Sequence, residues 1–234
     1  MLLETRDLIS GYGEAIILKG LSTQIEKGKI TAIMGRNGMG KTTFVKTVMG
    51  LLPVSSGSIS FRNTQLHKLK TNQIAKLGIG YVPQGREVFE QFTVAENLRL
   101  AALGSSLNNL DMLDQIYNWF PILKERLRQK AGTFSGGQQQ ILAIARALIT
   151  DPEILLLDEP SEGIQPSIVH EIAETLKMIA TETGLTIVMV EQNLDMVRTM
   201  ADEIQFMENG EIQKTVSSEV FASTPELTHR YLGI

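Results

Sequence analysis

The sequence contains no cysteine, which excludes disulfides and thiolate metal sites and fits a reducing compartment. It also lacks a long hydrophobic run. The longest apolar stretches, such as 154–157 and 186–190, fall far short of the ~20 residues of a membrane-spanning helix. The opening residues, MLLETRDLISGYG, lack the basic start and apolar stretch of a secretory leader, so none is expected. The chain itself should be soluble, with any membrane link made through a partner. Basic charge is not in excess: the net charge is −4, which argues against a nucleic-acid surface and predicts no nucleic-acid partner. Repeats, low-complexity segments and linkers are absent as well. What is present is a chain of 234 residues, 43% hydrophobic, enough for a substantial core in one large domain.

Along residues 1–30, Gly11, Gly13, Gly20 and Gly28 punctuate alternating residues, which predicts short strands. The apolar run 30–34 predicts a buried strand that stops at Gly35, followed by a helix over 41–49. Further strands are expected at 58–61, 78–82, 154–157 and 186–190, and helices at 71–77 and 167–180. Residues from about 92 to 150 change character, with helical patterns at 93–100, 110–119 and 138–148, and read as a helical insertion. In the last of these, Ile141, Ile144, Ala145 and Leu148 form one apolar face. Asn209-Gly210, between 203–208 and 211–216, is a hairpin signal. Strands alternating with helices predict an α/β fold with a largely parallel core sheet.

Gly35-Arg36-Asn37-Gly38-Met39-Gly40-Lys41-Thr42 satisfies G-x-x-x-x-G-K-[ST], and it sits between a strand and a helix as that motif requires. Gly35, Gly38 and Gly40 let backbone N–H groups approach an anion, with Arg36, Asn37, Met39 and Thr43 as further loop candidates. The helix start adds its positive end. Lys41 can reach the β- and γ-phosphates of a nucleotide, and Thr42 can offer a hydroxyl to Mg²⁺. Asp158-Glu159 ends a buried strand, where α/β sheets bind ligands. Asp158 is placed to hold Mg²⁺, and Glu159 to polarise an attacking water; a solvated Asp-Glu-Pro turn is the plainer alternative. Ser135-Gly136-Gly137-Gln138 opens a helix, with Ser135 as a cap, and makes a second anion-binding start that a second subunit could use. His67, His170 and His229 show no ligand spacing, and Trp119 and Phe120 read as core.

Taken together, these motifs resemble the ATP-binding-cassette ATPases, over essentially the whole chain. Phe134-Ser135-Gly136-Gly137-Gln138 matches the signature LSGGQ with Phe134 for leucine. The resemblance implies a RecA-like P-loop core with an antiparallel β lobe and a helical lobe at about 92–150, all within a single ATPase domain, 1–234. It implies ATP and Mg²⁺ as ligands, and Glu159 as the catalytic base of the Walker B pair. It also implies Gln84 as a Mg²⁺ and γ-phosphate contact and Tyr12 as the ring that stacks on adenine. Read alone, Tyr12 has the plainer alternative of an ordinary turn aromatic, and Gln84 that of a polar strand-end residue. In that family two ATPase subunits pair head to tail, so Ser135, Gly137 and Gln138 of one face the nucleotide of the other. The implied partners are a second ATPase subunit, two transmembrane permeases and, indirectly, an extracytoplasmic binding protein, with the chain peripheral on the cytoplasmic face of the inner membrane.

Two departures stand out. Gln192 occupies the place of the family's γ-phosphate histidine, and the D-loop reads Ser161-Glu162-Gly163-Ile164-Gln165 rather than beginning SALD. Glu191-Gln192 with residues 161–163 is similar to branched-chain amino-acid importer ATPases. Residues 34–38, 84–87 and 162–167 are similar to the urea-importer ATPase. The expectation drawn from them is an importer ATPase for urea, with branched-chain amino acids as the alternative and a soluble non-transport ATPase of the same cassette as a rival of another class.

Overall fold

The computed structural model of the chain describes residues 1–103 and 110–233. Two long strands open the fold, β1 (Leu3–Tyr12) and β2 (Ala15–Ile25), paired antiparallel around Gly13. The glycines that suggested short strands do not all break them. Leu8 pairs with Leu21 and Ile9 with Lys19, so Gly20, at φ 106°, is an extra residue bulged out of a continuous strand.

The buried strand β3 (Ile30–Met34) leads through residues 35–40 into α1 (Lys41–Val48). There follow β4 (Val54–Phe61), the short β5 (Thr64–Gln65), α2 (Thr71–Lys76) and β6 (Ile79–Val82). Helices α3 (Val94–Ala102), α4 (Leu110–Trp119), α5 (Pro121–Glu125) and α6 (Gly136–Leu148) precede β7 (Ile154–Asp158). The helical stretch expected over 92–150 includes residues 104–109, which lie outside the described residues. The chain continues through α7 (Pro166–Thr183), β8 (Thr186–Glu191), α8 (Leu194–Met200) and the hairpin β9 (Glu203–Glu208) and β10 (Glu211–Ser217). Helices α9 (Ser218–Ser223) and α10 (Glu226–Leu232) come last.

The strands form two sheets. One is antiparallel, in the order β2-β1-β4-β5; the other has six strands in the order β10-β9-β3-β8-β7-β6. In the second sheet every pair is parallel except the β9–β10 hairpin. Period-2 alternation divides its core strands between two apolar layers. Ile154, Leu156, Val188 and Val190 pack with Leu8, Leu18 and Leu21 of the antiparallel sheet and Phe44 and Val48 of α1. Leu155, Leu157, Ile187 and Met189 pack with Ile144 of α6 and Leu176 of α7. Burying each such side chain contributes about 1.5–3 kcal/mol, so both faces of the sheet are committed to the core. The polar segments are therefore left to the strand ends. Parallel register places Met34 beside Glu191, Asp158 beside Val190 and Val82 beside Leu157. The carboxyl ends of β3, β6, β7 and β8 thus share one edge, and the residues that follow them make the candidate site.

Candidate functional site

The phosphate loop is held from below. Gly35 lies so close to β9 that a methyl group there would come within 2.3 Å of the Met207 carbonyl. Gly38 and Gly40 adopt the left-handed region, at φ 80° and 106°. The Asn209-Gly210 turn supports the loop: the Gly210 amide donates to the Met39 carbonyl at 3.0 Å, and the Lys19 amide to the Gly210 carbonyl at 3.3 Å. Ile17 and Leu18 of β2 close against Gly40. Tyr12, at the end of the same hairpin, is exposed.

Lys41 is 4% exposed and donates to the carbonyls of Gly35 at 2.8 Å and Arg36 at 3.2 Å. Its ammonium also lies 3.6 Å from the Glu159 carboxylate. Burial pulls its pKa below the usual lysine range, with Glu159, Glu191 and Asp158 opposing the shift. A buried ammonium at the base of a glycine-rich loop is a positive charge that an anionic phosphate can pair with. Next to it, the Thr42 hydroxyl donates to Asp158 Oδ1 at 2.8 Å, and the Tyr81 hydroxyl to Oδ2 at 3.4 Å. Burial raises the Asp158 carboxyl above the ordinary range; the Thr42 hydrogen bond pulls the other way. Burial likewise raises the Tyr81 phenol, so it remains a donor. Hydroxyl and carboxylate oxygens side by side are the hard donors Mg²⁺ takes, with phosphates and water completing its shell. Thr43 is buried behind them.

Glu159 has φ 47°, a left-handed conformation that a side-chain-bearing residue holds only when its surroundings impose it. Its amide donates to the Val190 carbonyl at 2.9 Å. Three side chains converge on its carboxylate: Lys41, Gln84 at 3.3 Å and Gln192 at 3.2 Å. Gln84 also donates to the Glu162 carboxylate at 3.0 Å, and Gln192 to Asn37 Oδ1 at 2.6 Å. The structure thus brings Asn37, Lys41, Thr42, Gln84, Asp158, Glu159 and Gln192 to one place. Arg36, Asn37 and Gly38 are exposed at its rim.

Ser135–Gln138 stand elsewhere. Ser135 caps α6 through a reciprocal box: the Gln138 amide donates to Ser135 Oγ at 3.3 Å, and the Ser135 amide to Gln138 Oε1 at 3.1 Å. Phe134 is buried as the apolar anchor of this turn, the role a leucine would fill. Gly137 is pressed against α7, where a methyl group would come within 2.6 Å of Ile168. Among the described residues no hydrogen bond joins this turn to the phosphate loop or to Asp158 and Glu159.

Glu191 has a part that sequence reasoning missed. It is 2% exposed, and its carboxylate accepts from the backbone amides of Ser161 at 2.8 Å, Gln192 at 2.7 Å and Asn193 at 2.8 Å. It ties the end of β8 to the loop after β7. An acidic residue closing an otherwise apolar buried strand was the available signal. The histidines do not gather: His67 accepts from the Ile59 amide at 3.3 Å, and His170 lies 3.2 Å from Glu174 on the surface of α7. Among the described residues no cluster of three or more His, Asp or Glu is placed to hold a metal.

Comparison with known proteins identifies the arrangement. The model of the ABC transporter family matches residues 18–162. The chain belongs to the ABC transporter family. It is 39% identical over 223 residues to the high-affinity branched-chain amino acid transport ATP-binding protein BraG of Pseudomonas aeruginosa, with 95% of each chain covered. It is 36% identical to the probable branched-chain amino acid transport ATP-binding protein LivF of Archaeoglobus fulgidus, with 90% of each covered. Among solved structures, an ATP-binding cassette of an ABC transporter in its ADP conformation superposes with a TM-score of 0.85 at 27% identity, covering 100% of this chain and 99% of that one. A dimeric post-hydrolysis cassette bound to ADP and Pi superposes with a TM-score of 0.81 at 25% identity, covering 93% and 99%. The fold is that of an ABC nucleotide-binding domain, and the chain is an ATP-binding ATPase of this family. No helix among the described residues is long and apolar enough to cross a membrane.

Proposed function

We propose that the chain is the ATP-hydrolysing subunit of an importer for branched-chain amino acids, seated at the cytoplasmic face of the inner membrane beneath two permeases. The observation that carries the ATPase chemistry is the convergence of Lys41, Gln84 and Gln192 on Glu159, beside the Thr42–Asp158 pair. In this reading Lys41 and the loop amides bind the triphosphate, and Glu159 polarises the attacking water. Gln192 exchanges one of its two N–H contacts, to Asn37 or Glu159, for a neutral hydrogen bond to the γ-phosphate, and Tyr12 offers an exposed ring to the base. Thr42 and Asp158, with Gln84, would hold Mg²⁺, which would neutralise charge on the phosphates.

The cargo follows from likeness, since nothing in the site touches it. The relatives described above carry branched-chain amino acid transport in their names. This favours branched-chain amino acids over the urea reading suggested by the loops. The separation of Ser135–Gln138 from the phosphate loop supports head-to-tail pairing with a second ATPase subunit, which would bring that helix start to the partner's nucleotide. Phe89 and Phe92, both exposed with ring centroids 5.5 Å apart, follow Gln84 in the chain and offer a permease contact. An extracytoplasmic binding protein would deliver cargo to the permeases.

Glu159→Gln tests the chemistry: ATP binding should persist while hydrolysis falls about 10²–10⁴-fold, the usual contribution of a positioned base. Near-normal turnover would remove Glu159 from this role. Co-purification with permeases, then uptake of leucine against urea in reconstituted vesicles, tests the assembly and the cargo.

A further inference from the structure

The loop after Gln84 is built around an arginine that the proposed ATPase chemistry does not use. Gly85, Arg86 and Glu87 all have positive φ, at 84°, 73° and 47°. The Glu87 amide donates to the Gly85 carbonyl at 2.9 Å, which makes Arg86 the centre of a tight three-residue turn, a strained conformation for a residue with a side chain. Its surroundings impose it. Arg86 Nη2 donates to the backbone carbonyls of Glu162 at 3.0 Å and Gly163 at 3.2 Å. The same guanidinium lies on Gly136, where a methyl group would meet Nη1 at 2.9 Å, Nη2 at 3.0 Å and Cζ at 3.1 Å. One side chain therefore spans the loop after Gln84, the loop after Glu159 and the capped start of α6.

A second arginine fixes the next residues of this loop to the same helix. Arg146 of α6 donates to the Glu87 carbonyl at 2.7 Å, and its guanidinium covers the Phe89 ring at 4.6 Å. Phe89 thus touches α6 through Arg146, and the same loop reaches the Gly136 turn through Arg86.

We propose that Arg86 is a positioning residue that sets the Ser135–Gln138 turn and the 161–163 loop in the arrangement a second subunit must meet, so that pairing around ATP depends on it. The inference rests on the paired-subunit reading of the proposed function. A planar guanidinium suits this role because it donates to two carbonyls while its face packs on a glycine, which a lysine ammonium cannot do.

The test uses the full-length chain with Glu159→Gln to arrest turnover, alone and combined with Arg86→Ala or Arg86→Lys. ATP affinity of the single subunit is read with a fluorescent analogue, and ATP-dependent pairing by analytical ultracentrifugation. Arg86→Ala should leave ATP affinity within about twofold and raise the dimer dissociation constant on the order of tenfold, because the turn and the 161–163 loop are no longer held in the arrangement that pairing requires. Arg86→Lys should fail to restore pairing. Pairing by the double variant as tight as by Glu159→Gln alone would overturn the proposal. A parallel loss of ATP affinity would also overturn it, since that marks a general structural role. Failure of Glu159→Gln itself to pair with ATP refutes the paired-subunit reading, a result distinct from either.

Discussion

Replacing Glu191 with alanine removes one carboxylate and leaves three backbone amides, those of Ser161, Gln192 and Asn193, without their acceptor. Hydrogen bonds to an ionised group are worth ~1.5–3 kcal/mol each, so a simple sum gives ~5–9 kcal/mol as an upper bound. Two effects reduce it. The buried carboxylate carries a desolvation penalty that disappears with it, and water entering the vacated space can satisfy part of the amides. The expected loss is about 2–4 kcal/mol, a fall in Tm of roughly 4–16 °C for a chain of this size. The functional effect is separate. Gln192 and the 161–163 loop lose a common anchor, and a misplacement of about 1 Å at a reacting centre can lower the rate on the order of 100-fold. Lys41 keeps its contacts to the loop carbonyls, so ATP affinity should change little. Glu191→Gln should fall between, because its amide group turns a donor toward backbone donors. Thermal denaturation, steady-state hydrolysis and ATP affinity measured together decide the matter. A Glu191→Ala protein with wild-type Tm and turnover would refute the clamp.

Lys41→Ala should weaken ATP binding by about 10–150-fold, the worth of a hydrogen bond to a charged group, and unchanged affinity for a fluorescent analogue would count against the phosphate loop. Gln192→Ala should slow hydrolysis on the order of 10–150-fold with little change in affinity, since its contact is expected to matter most in the transition state; wild-type kinetics would reduce Gln192 to a structural residue. Asp158→Asn should stabilise the protein in EDTA without nucleotide near neutral pH. The folded carboxyl is raised, so the folded chain binds the extra proton, and stability is lost as pH rises from the ordinary aspartate range through the folded pKa. Denaturation curves should show the advantage shrinking toward about pH 3, below the ordinary aspartate pKa, where the carboxyl is largely neutral in both states; an Asn variant that is less stable at neutral pH contradicts the assignment.

Much of the fold was legible because the signals were local. The phosphate loop, the buried strands, the Asn209-Gly210 turn and the Ser135–Gln138 cap each lie within a few residues, and each sits where it was expected. Gly20 misled because a glycine in a strand pattern marks a bulge as readily as an end. Helices α8, α9 and α10 span seven, six and seven residues, about two turns each, over which a 3.6-residue period is weakly marked, although α2, also six residues, is legible in its sequence. At the site, residue types were readable and partners were not. Glu191 with Ser161, and Arg86 with Gly163, join segments 30 and 77 residues apart. No local pattern carries such a contact, which exists only once the sheet aligns the ends of its strands.

The same geometry gives a physical reason for glutamine at position 192. Its amide faces two acceptors at once, Asn37 Oδ1 at 2.6 Å and a Glu159 oxygen at 3.2 Å. An amide group carries two N–H donors and serves both. A neutral imidazole has one N–H and would have to choose between the phosphate loop and the carboxylate; only as a cation does it donate from both ring nitrogens, and these point in different directions. Glutamine therefore links loop and carboxylate through one atom, and its amide does not titrate and adds no charge beside the Lys41 ammonium. The link also joins the carboxylate of Glu159, already held in a left-handed backbone conformation, to Asn37 through the Gln192 amide. Substitution at 192 thus bears on the carboxylate as well as on any phosphate contact, and a slowed Gln192→Ala enzyme would owe part of its deficit to a less constrained Glu159.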